Sequence, residues 1–150
     1  MGAVLAPVLL LVLLALLLSQ ARRTPKVTLT VVADALQIRL GGVDALYCLK
    51  RTLVLPLASI QGVAVATKAS VPRTGLRLPG TSLPGVIRAG SYGTGRSRDF
   101  WDVRRATVYF VVQLLPGGRY RRVVLELPDP QGEVARLAPV IGVYEGAFPT

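Results

Sequence analysis

The amino-acid sequence predicts a mainly β domain that is preceded by a hydrophobic helix and ends in a short second helix. Residues 3–18 are uncharged and consist almost entirely of Leu, Val and Ala. After residue 26 the chain instead carries several short runs in which apolar and polar residues alternate, as they do in half-buried strands. Five or more antiparallel strands of this length must close into a barrel or pack as two layers.

The N-terminal apolar run predicts a transmembrane anchor over residues 1–21. No side chain from Met1 to Ala21 is charged, and a helix of that length reaches about 30 Å, the thickness of a bilayer hydrocarbon core. Arg22, Arg23 and Lys26 follow, and because positive charge favours the cytoplasmic side, we expect the N-terminus outside and the domain in the cytoplasm. The alternative is a cleaved secretory signal, since Ser19–Ala21 places small residues at a cleavage position. A buried core helix is disfavoured because the run has no polar face.

The strands are predicted from alternation and from turn residues. Val27–Val31 and Leu36–Leu40 alternate most regularly. Further strands are expected at Leu53–Leu55, at Ile60–Thr67 with a bulge at Gly62, within Gly85–Tyr92, and in a hairpin of Arg104–Leu115 and Arg119–Leu127 around the Pro-Gly-Gly turn at 116–118.

A short helix is predicted near the end of the chain. Asp129 is placed to cap its N-terminus, Pro130 suits its first position, and Pro139 is expected to limit it. The tail from Gly142 has no clear period.

Composition excludes several classes of chemistry. The chain has no histidine, which rules out histidine triads, histidine metal sites and histidine acid–base catalysis. The single cysteine, Cys48, cannot form an intramolecular disulfide and is expected to be a small buried hydrophobe. We therefore predict a non-catalytic protein with no cofactor and no metal.

The charge distribution predicts an anionic partner. The chain has 18 basic and 8 acidic residues, and no acid occurs between Asp44 and Asp99. Such a one-sign stretch projects a positive field, and beside an anchor the nearest anionic surface is the lipid headgroup layer. The candidate surface, which we call the basic set, comprises Arg22, Arg23, Lys26, Lys50, Arg51, Arg73, Arg77, Arg88, Arg96 and Arg98.

Three further clusters have ordinary structural interpretations. Asp99 and Asp102 are expected to form surface ion pairs with the arginines at 96, 98, 104 and 105. Phe100 and Trp101 are expected in the core, with nucleobase stacking or a lipid interface as the alternative. The basic run from Arg119 to Arg122 is expected at a charged sheet edge that discourages aggregation.

The middle of the chain resembles the bacterial PH-like domains, prokaryotic relatives of pleckstrin-homology domains that are often attached to transmembrane segments. The similarity lies in Gly75–Gly85 (GLRLPGTSLPG) followed by Arg88–Tyr92 (RAGSY), and its flanks are Asp34–Ile38, Leu55–Ile60 and Asp129–Leu137. The resemblance implies a partly open barrel of about seven antiparallel strands in two sheets with a C-terminal helix. It divides the chain into an anchor (1–21), a basic linker (22–26), a PH-like domain (27–141) and a tail (142–150).

The sequence thus predicts a membrane-anchored binding or scaffolding domain. Its basic face would contact anionic lipid headgroups or a membrane-protein partner. Two alternatives stay open. One is a basic β domain that binds nucleic acid, which the anchor disfavours, and the other is an exported structural or assembly domain whose mature N-terminus is Arg22 after signal cleavage.

Overall fold

A computed structural model describes residues 2–21, 26–42, 45, 48, 51–72, 77–83, 87–95 and 98–150, with side chains left out at 2–5, 17, 20–21, 77–83 and 87–88. The helices are α1 (Gly2–Ala21) and α2 (Pro130–Ile141). The strands are β1 (Lys26–Val32), β2 (Ala35–Gly41), β3 (Thr52–Pro56), β4 (Ile60–Thr67), β5 (Arg77–Leu83), β6 (Ile87–Tyr92), β7 (Arg98–Val103), β8 (Val108–Leu114) and β9 (Tyr120–Leu125).

The strands form two sheets, so the prediction of a mainly β fold with two sheets, a C-terminal helix and a preceding N-terminal helix is confirmed. The first sheet has the order β1-β2-β3 and the second the order β4-β8-β9-β7-β6-β5. The described strands do not close into one barrel, and they number nine rather than about seven. One pair, β7 with β9, is parallel, which differs from the expected antiparallel order because β9 enters the sheet between β8 and β7.

The main core lies between the two sheets. Alternate residues of the three-stranded sheet are buried, among them Leu36 and Ile38, both fully. They pack in one cluster with Phe100, Phe110 and other inward residues of the six-stranded sheet. Alternation in the sequence located β1 and β2 because only one face of each strand is buried.

Helix α2 packs against this core. The Asp129 side chain accepts a hydrogen bond from the Gly132 amide at 2.9 Å, which is the predicted N-cap, and Leu137 is buried in the cluster. The prediction that Pro139 limits the helix is wrong by about half a turn. The helix continues to Ile141 and ends where Gly142 adopts φ +90°.

The six-stranded sheet has a second buried face. A separate cluster there contains Tyr92, Trp101, Tyr109, Val111 and Val124, together with neighbouring small residues. The last residues of the chain lie on this side, and Phe148 packs against the cluster. The sheet is therefore covered on both faces, which is why its central strands are almost continuously buried.

The N-terminal run is a helix, as predicted. Along it, the side chains described from Val8 to Leu18 are exposed. Among the residues that the structure describes, no helix meets the length and hydropathy needed to cross a membrane.

Candidate functional site

The structure defines the surroundings of only part of the basic set. Five of its members lie outside the described residues: Arg22, Arg23, Lys50, Arg73 and Arg96. Arg77 belongs to strand β5 and Arg88 to strand β6, and the side chains of both are outside the description. Arg98 is half-buried at the start of β7. Only Lys26 and Arg51 are exposed members of the set whose surroundings are defined.

These two cations lie at one end of the three-stranded sheet. Lys26 starts β1 and pairs with Gly41 at the end of β2. Arg51 immediately precedes β3, and its carbonyl accepts a hydrogen bond from the Leu40 amide at 2.8 Å. Arg39, on β2, is exposed between its cross-strand neighbours Thr28 and Thr52. We call Lys26, Arg39 and Arg51 the basic end.

Arg39 is a member of this surface that the sequence argument missed. Arg39 lies between the cations that follow the anchor and the acid-free stretch after Asp44, the two regions that supply the basic set. The signal was nevertheless present, because Arg39 occupies a polar position in the alternating run Leu36–Leu40 and must therefore point away from the core.

Charged side chains are distributed unevenly along the three-stranded sheet. None of its strands contains an acid. Asp44, three residues after β2, lies outside the described residues, and the described carboxylate of Asp34 lies in the exposed turn between β1 and β2. That turn is at the opposite end of β1 from Lys26, about 20 Å away at the usual rise per strand residue. Among the residues that the structure describes, positive charge is thus concentrated at the end of the sheet where β1 begins.

A buried row of polar side chains crosses the six-stranded sheet. Gln113 on β8, Arg122 on β9, Asp99 on β7 and Tyr92 on β6 are successive cross-strand neighbours, and each is at most a few per cent exposed. The prediction that Asp99 and Asp102 form surface ion pairs is wrong, because both are buried. They also lie on opposite faces of β7, since their spacing is odd.

Asp99 is held by arginines that the sequence argument did not assign to it. Arg121 Nε lies 3.1 Å from Asp99 Oδ1, and Arg121 Nη2 donates to Asp99 Oδ2 at 3.3 Å. Arg122 Nε lies 3.0 Å from Asp99 Oδ2. Burial lowers the pKa of the Arg122 guanidinium, and the nearby Asp99 carboxylate partly offsets this effect. Asp99 and Arg122 are closed to solvent, whereas Arg121 is 19% exposed.

The other clusters are placed as follows. Trp101 is 2% exposed and meets Tyr109 edge to face at 6.0 Å, and Phe100 is fully buried, which confirms their place in the core. Cys48 is buried, as expected.

The prediction that the Arg119–Arg122 run lies at a charged sheet edge is wrong, because β9 lies inside the sheet. Because both rings are buried, the alternative that Phe100 and Trp101 stack on nucleobases is disfavoured.

The basic end is therefore an exposed charged surface of the described chain, whereas Asp99 and Arg122 are closed to solvent. The difference follows from where the residues lie. The basic end is at one end of the three-stranded sheet, whereas Asp99 and its arginines are on the central strands of the six-stranded sheet. Comparisons with protein-family models, with curated proteins and with solved structures give no match to this chain.

Proposed function

We propose that this protein is a membrane-attached binding domain whose basic end faces anionic lipid headgroups. The observation that carries the proposal is the surface of α1. Its described leucines and valines are exposed on every side, from 41% at Leu18 to 71% at Leu9, and none of them belongs to either core cluster. A helix that is apolar on every side is stable in an apolar environment, and the hydrocarbon core of a bilayer is such an environment.

Chain connectivity supports a role for the basic end at the same membrane. Lys26 follows Ala21 by five residues, which span at most about 18 Å when fully extended. A cation close to an anionic leaflet contributes about 1 kcal/mol. Three cations would therefore favour the orientation that presents the basic end to the headgroups by about a hundredfold.

A PH-like relationship stays a prediction. Two sheets and a final helix agree with it, whereas the parallel β7–β9 pair and the nine strands do not follow the expected order. The partly open barrel, the absence of catalysis and cofactors, and the cytoplasmic location also stay predictions.

Attachment through α1 is tested by placing charge at the middle of the helix. Leu10 and Leu13 are exposed, so Leu10→Arg with Leu13→Arg leaves the domain core untouched. Each arginine costs about 2.5–3.5 kcal/mol at the centre of a membrane helix. We expect the original chain to stay in the membrane pellet after an alkaline carbonate wash and the double-arginine chain to be released.

Leu10→Ala with Leu13→Ala is the matched control, and this chain should remain in the pellet. The intact mass of the purified protein separates the anchor from the secretory alternative. A chain that retains residue Met1 supports the anchor, whereas a chain that begins at Arg22 would refute it and favour the exported domain.

Headgroup contact is tested with an environment-sensitive dye on Thr52→Cys, beside Arg39. Cys48 is buried, so labelling selects the new thiol. The full chain is placed in nanodiscs of phosphatidylcholine alone or with phosphatidylserine. We expect a blue shift of the dye emission that depends on phosphatidylserine, because only the anionic surface attracts the basic end.

A pair of charge-reversed variants supplies the control. Lys26→Glu, Arg39→Glu and Arg51→Glu together should remove the shift. The same change in net charge at three other exposed cations, namely Lys68→Glu, Arg105→Glu and Arg119→Glu, should preserve it. Equal behaviour of the two triple variants would show that total charge, rather than the basic end, governs the contact.

A further inference from the structure

We propose that the outer edge of β4 and the buried cluster around Trp101 and Tyr109 form a binding groove for a peptide. The peptide pairs with β4 as a short added strand, and its chain then turns so that an aromatic side chain packs on the cluster. In this structure the groove holds residues 142–149, which belong to the tail (142–150) of the same chain. The partner is a segment that repeats the chemistry of the tail, with two aromatic residues four positions apart followed by proline. Neither α1 nor the basic end contributes to this groove.

The edge of β4 accepts the tail as an added parallel strand. The Val63 amide donates to the Gly142 carbonyl at 3.0 Å, and the Tyr144 amide donates to the Val63 carbonyl at 2.8 Å. Val143 pairs with Val63 in parallel register. Strand β4 is the terminal strand of its sheet on this side, and a terminal strand presents backbone groups that recruit extended peptides.

Gly62 makes this close approach possible. A Cβ atom at position 62 would lie 2.7 Å from the Tyr144 nitrogen and 2.9 Å from the Val143 carbonyl carbon. The three nearest atoms all belong to the tail backbone. The absence of a side chain at Gly62 is therefore matched to a strand seated on the edge, rather than to packing within the sheet.

The aromatic cluster holds the rest of the segment. Phe148 packs against the cluster that contains Trp101 and Tyr109. The Tyr144 ring lies 5.5 Å from the Phe148 ring, and the Tyr144 hydroxyl donates to the Ala147 carbonyl at 2.7 Å, which closes the tail into a hook. The buried Arg122 Nη2 then donates to the Pro149 carbonyl at 2.5 Å.

Most of the tail faces solvent. Val143, Glu145, Gly146, Ala147 and Pro149 are exposed. Because the tail is linked to the domain, it competes with an incoming peptide at an effective concentration of about 1 mM. If the isolated segment binds with a Kd of about 0.1 mM, the linked tail weakens binding of a free peptide about tenfold.

The probe is a fluorescein-labelled peptide of residues 140–150, added to the full chain in detergent. Phe148→Ala in the protein weakens the linked tail and leaves the groove unchanged. We expect this variant to bind the peptide about tenfold more tightly than the original chain. A peptide that itself carries Phe148→Ala should not bind.

Gly62→Ala blocks the edge. In the protein that also carries Phe148→Ala, it should abolish peptide binding. Gly62→Ala alone should release the tail and raise the acrylamide quenching of Trp101, the single tryptophan of the chain. Gly118→Ala is the matched control, because a Cβ there meets nothing closer than 3.8 Å. Amide hydrogen exchange in β8 and β9 distinguishes release of the tail from unfolding, since those strands should stay protected.

The proposal is overturned if the peptide binds equally well with and without Gly62→Ala. It is also overturned if both single variants keep Trp101 shielded as in the original chain, because the tail would then be a permanent strand of the fold. Glu145→Ala, in the exposed part of the tail, should change none of these readouts.

Discussion

At the scale of single residues, the most consequential group is formed by the buried Asp99 and Arg122 together with the half-buried Arg121. Two guanidinium groups share one carboxylate inside a sheet that is covered on both faces. Taking such charges out of water costs several kcal/mol per ion. This cost is offset only when the ions attract each other at short distance and are well hydrogen-bonded. Removing the carboxylate takes away the counter-charge that Arg121 and Arg122 share, and for the buried Arg122 this differs from the loss of a surface pair.

Asp99→Asn should therefore destabilise the protein strongly. We expect the free energy of unfolding to fall by about 3–5 kcal/mol, as for other buried pairs that lose one partner. Chemical denaturation followed by Trp101 fluorescence measures the change. Glu133→Gln is the control, because Glu133 pairs with Arg136 at 2.6 Å on the surface of α2 and its loss should cost about 0.5 kcal/mol. Similar losses in the two variants would contradict the structural role of Asp99.

The Asp99 group also shows why residue types alone misplace charged side chains. Asp99 and Arg122 are usually surface residues, and they are 23 positions apart in the sequence. What buries them is the parallel pairing of β7 with β9, a long-range contact that leaves no periodic signal. Arg39, by contrast, sits in a strand whose alternation alone places it outside.

At the scale of elements, α2 joins the two sheets. Leu137 enters the core between them, and Arg136 Nη2 donates to the Leu29 carbonyl on β1 at 3.0 Å. Strands β1 and β2, each with one exposed face, were predictable from alternation in the sequence. The β8–β9 hairpin and the cap of α2 were predictable from their turn and capping residues. The tail was not, because its place depends on the edge of β4 rather than on its own pattern.

Leu137→Ala should weaken this junction. Loss of a fully buried leucine typically lowers the free energy of unfolding by about 2–5 kcal/mol. Val140→Ala, three residues further along the same helix, removes an exposed side chain and should change stability by less than about 0.5 kcal/mol. Thermal denaturation of both variants compares the two faces of α2, and equal shifts in Tm would show that the helix does not pack through Leu137.

At the scale of the whole molecule, apolar and charged surfaces are separated along the chain. Helix α1 carries no charge, and the basic end begins five residues after it. Two forces would then hold the protein at a membrane, one hydrophobic and one electrostatic. Only the second is screened by salt.

This separation predicts a selective effect of ionic strength. Raising salt from physiological levels to about 1 M shortens the Debye length from about 8 Å to about 3 Å. The phosphatidylserine-dependent emission shift at Thr52→Cys should disappear, whereas the chain should stay in the nanodisc through α1. Release of the whole protein by salt would contradict the anchoring role of α1.

The position of β9 has a consequence for synthesis of the protein. This strand lies in the middle of the six-stranded sheet, yet it is the last strand of that sheet to leave the ribosome. Until it arrives, the β5-β6-β7 half and the β4-β8 half cannot join, and the inner edges of β7 and β8 stay open. Unpaired edges of this kind promote aggregation of nascent chains. The nascent domain should therefore depend on chaperones until its final segment has emerged.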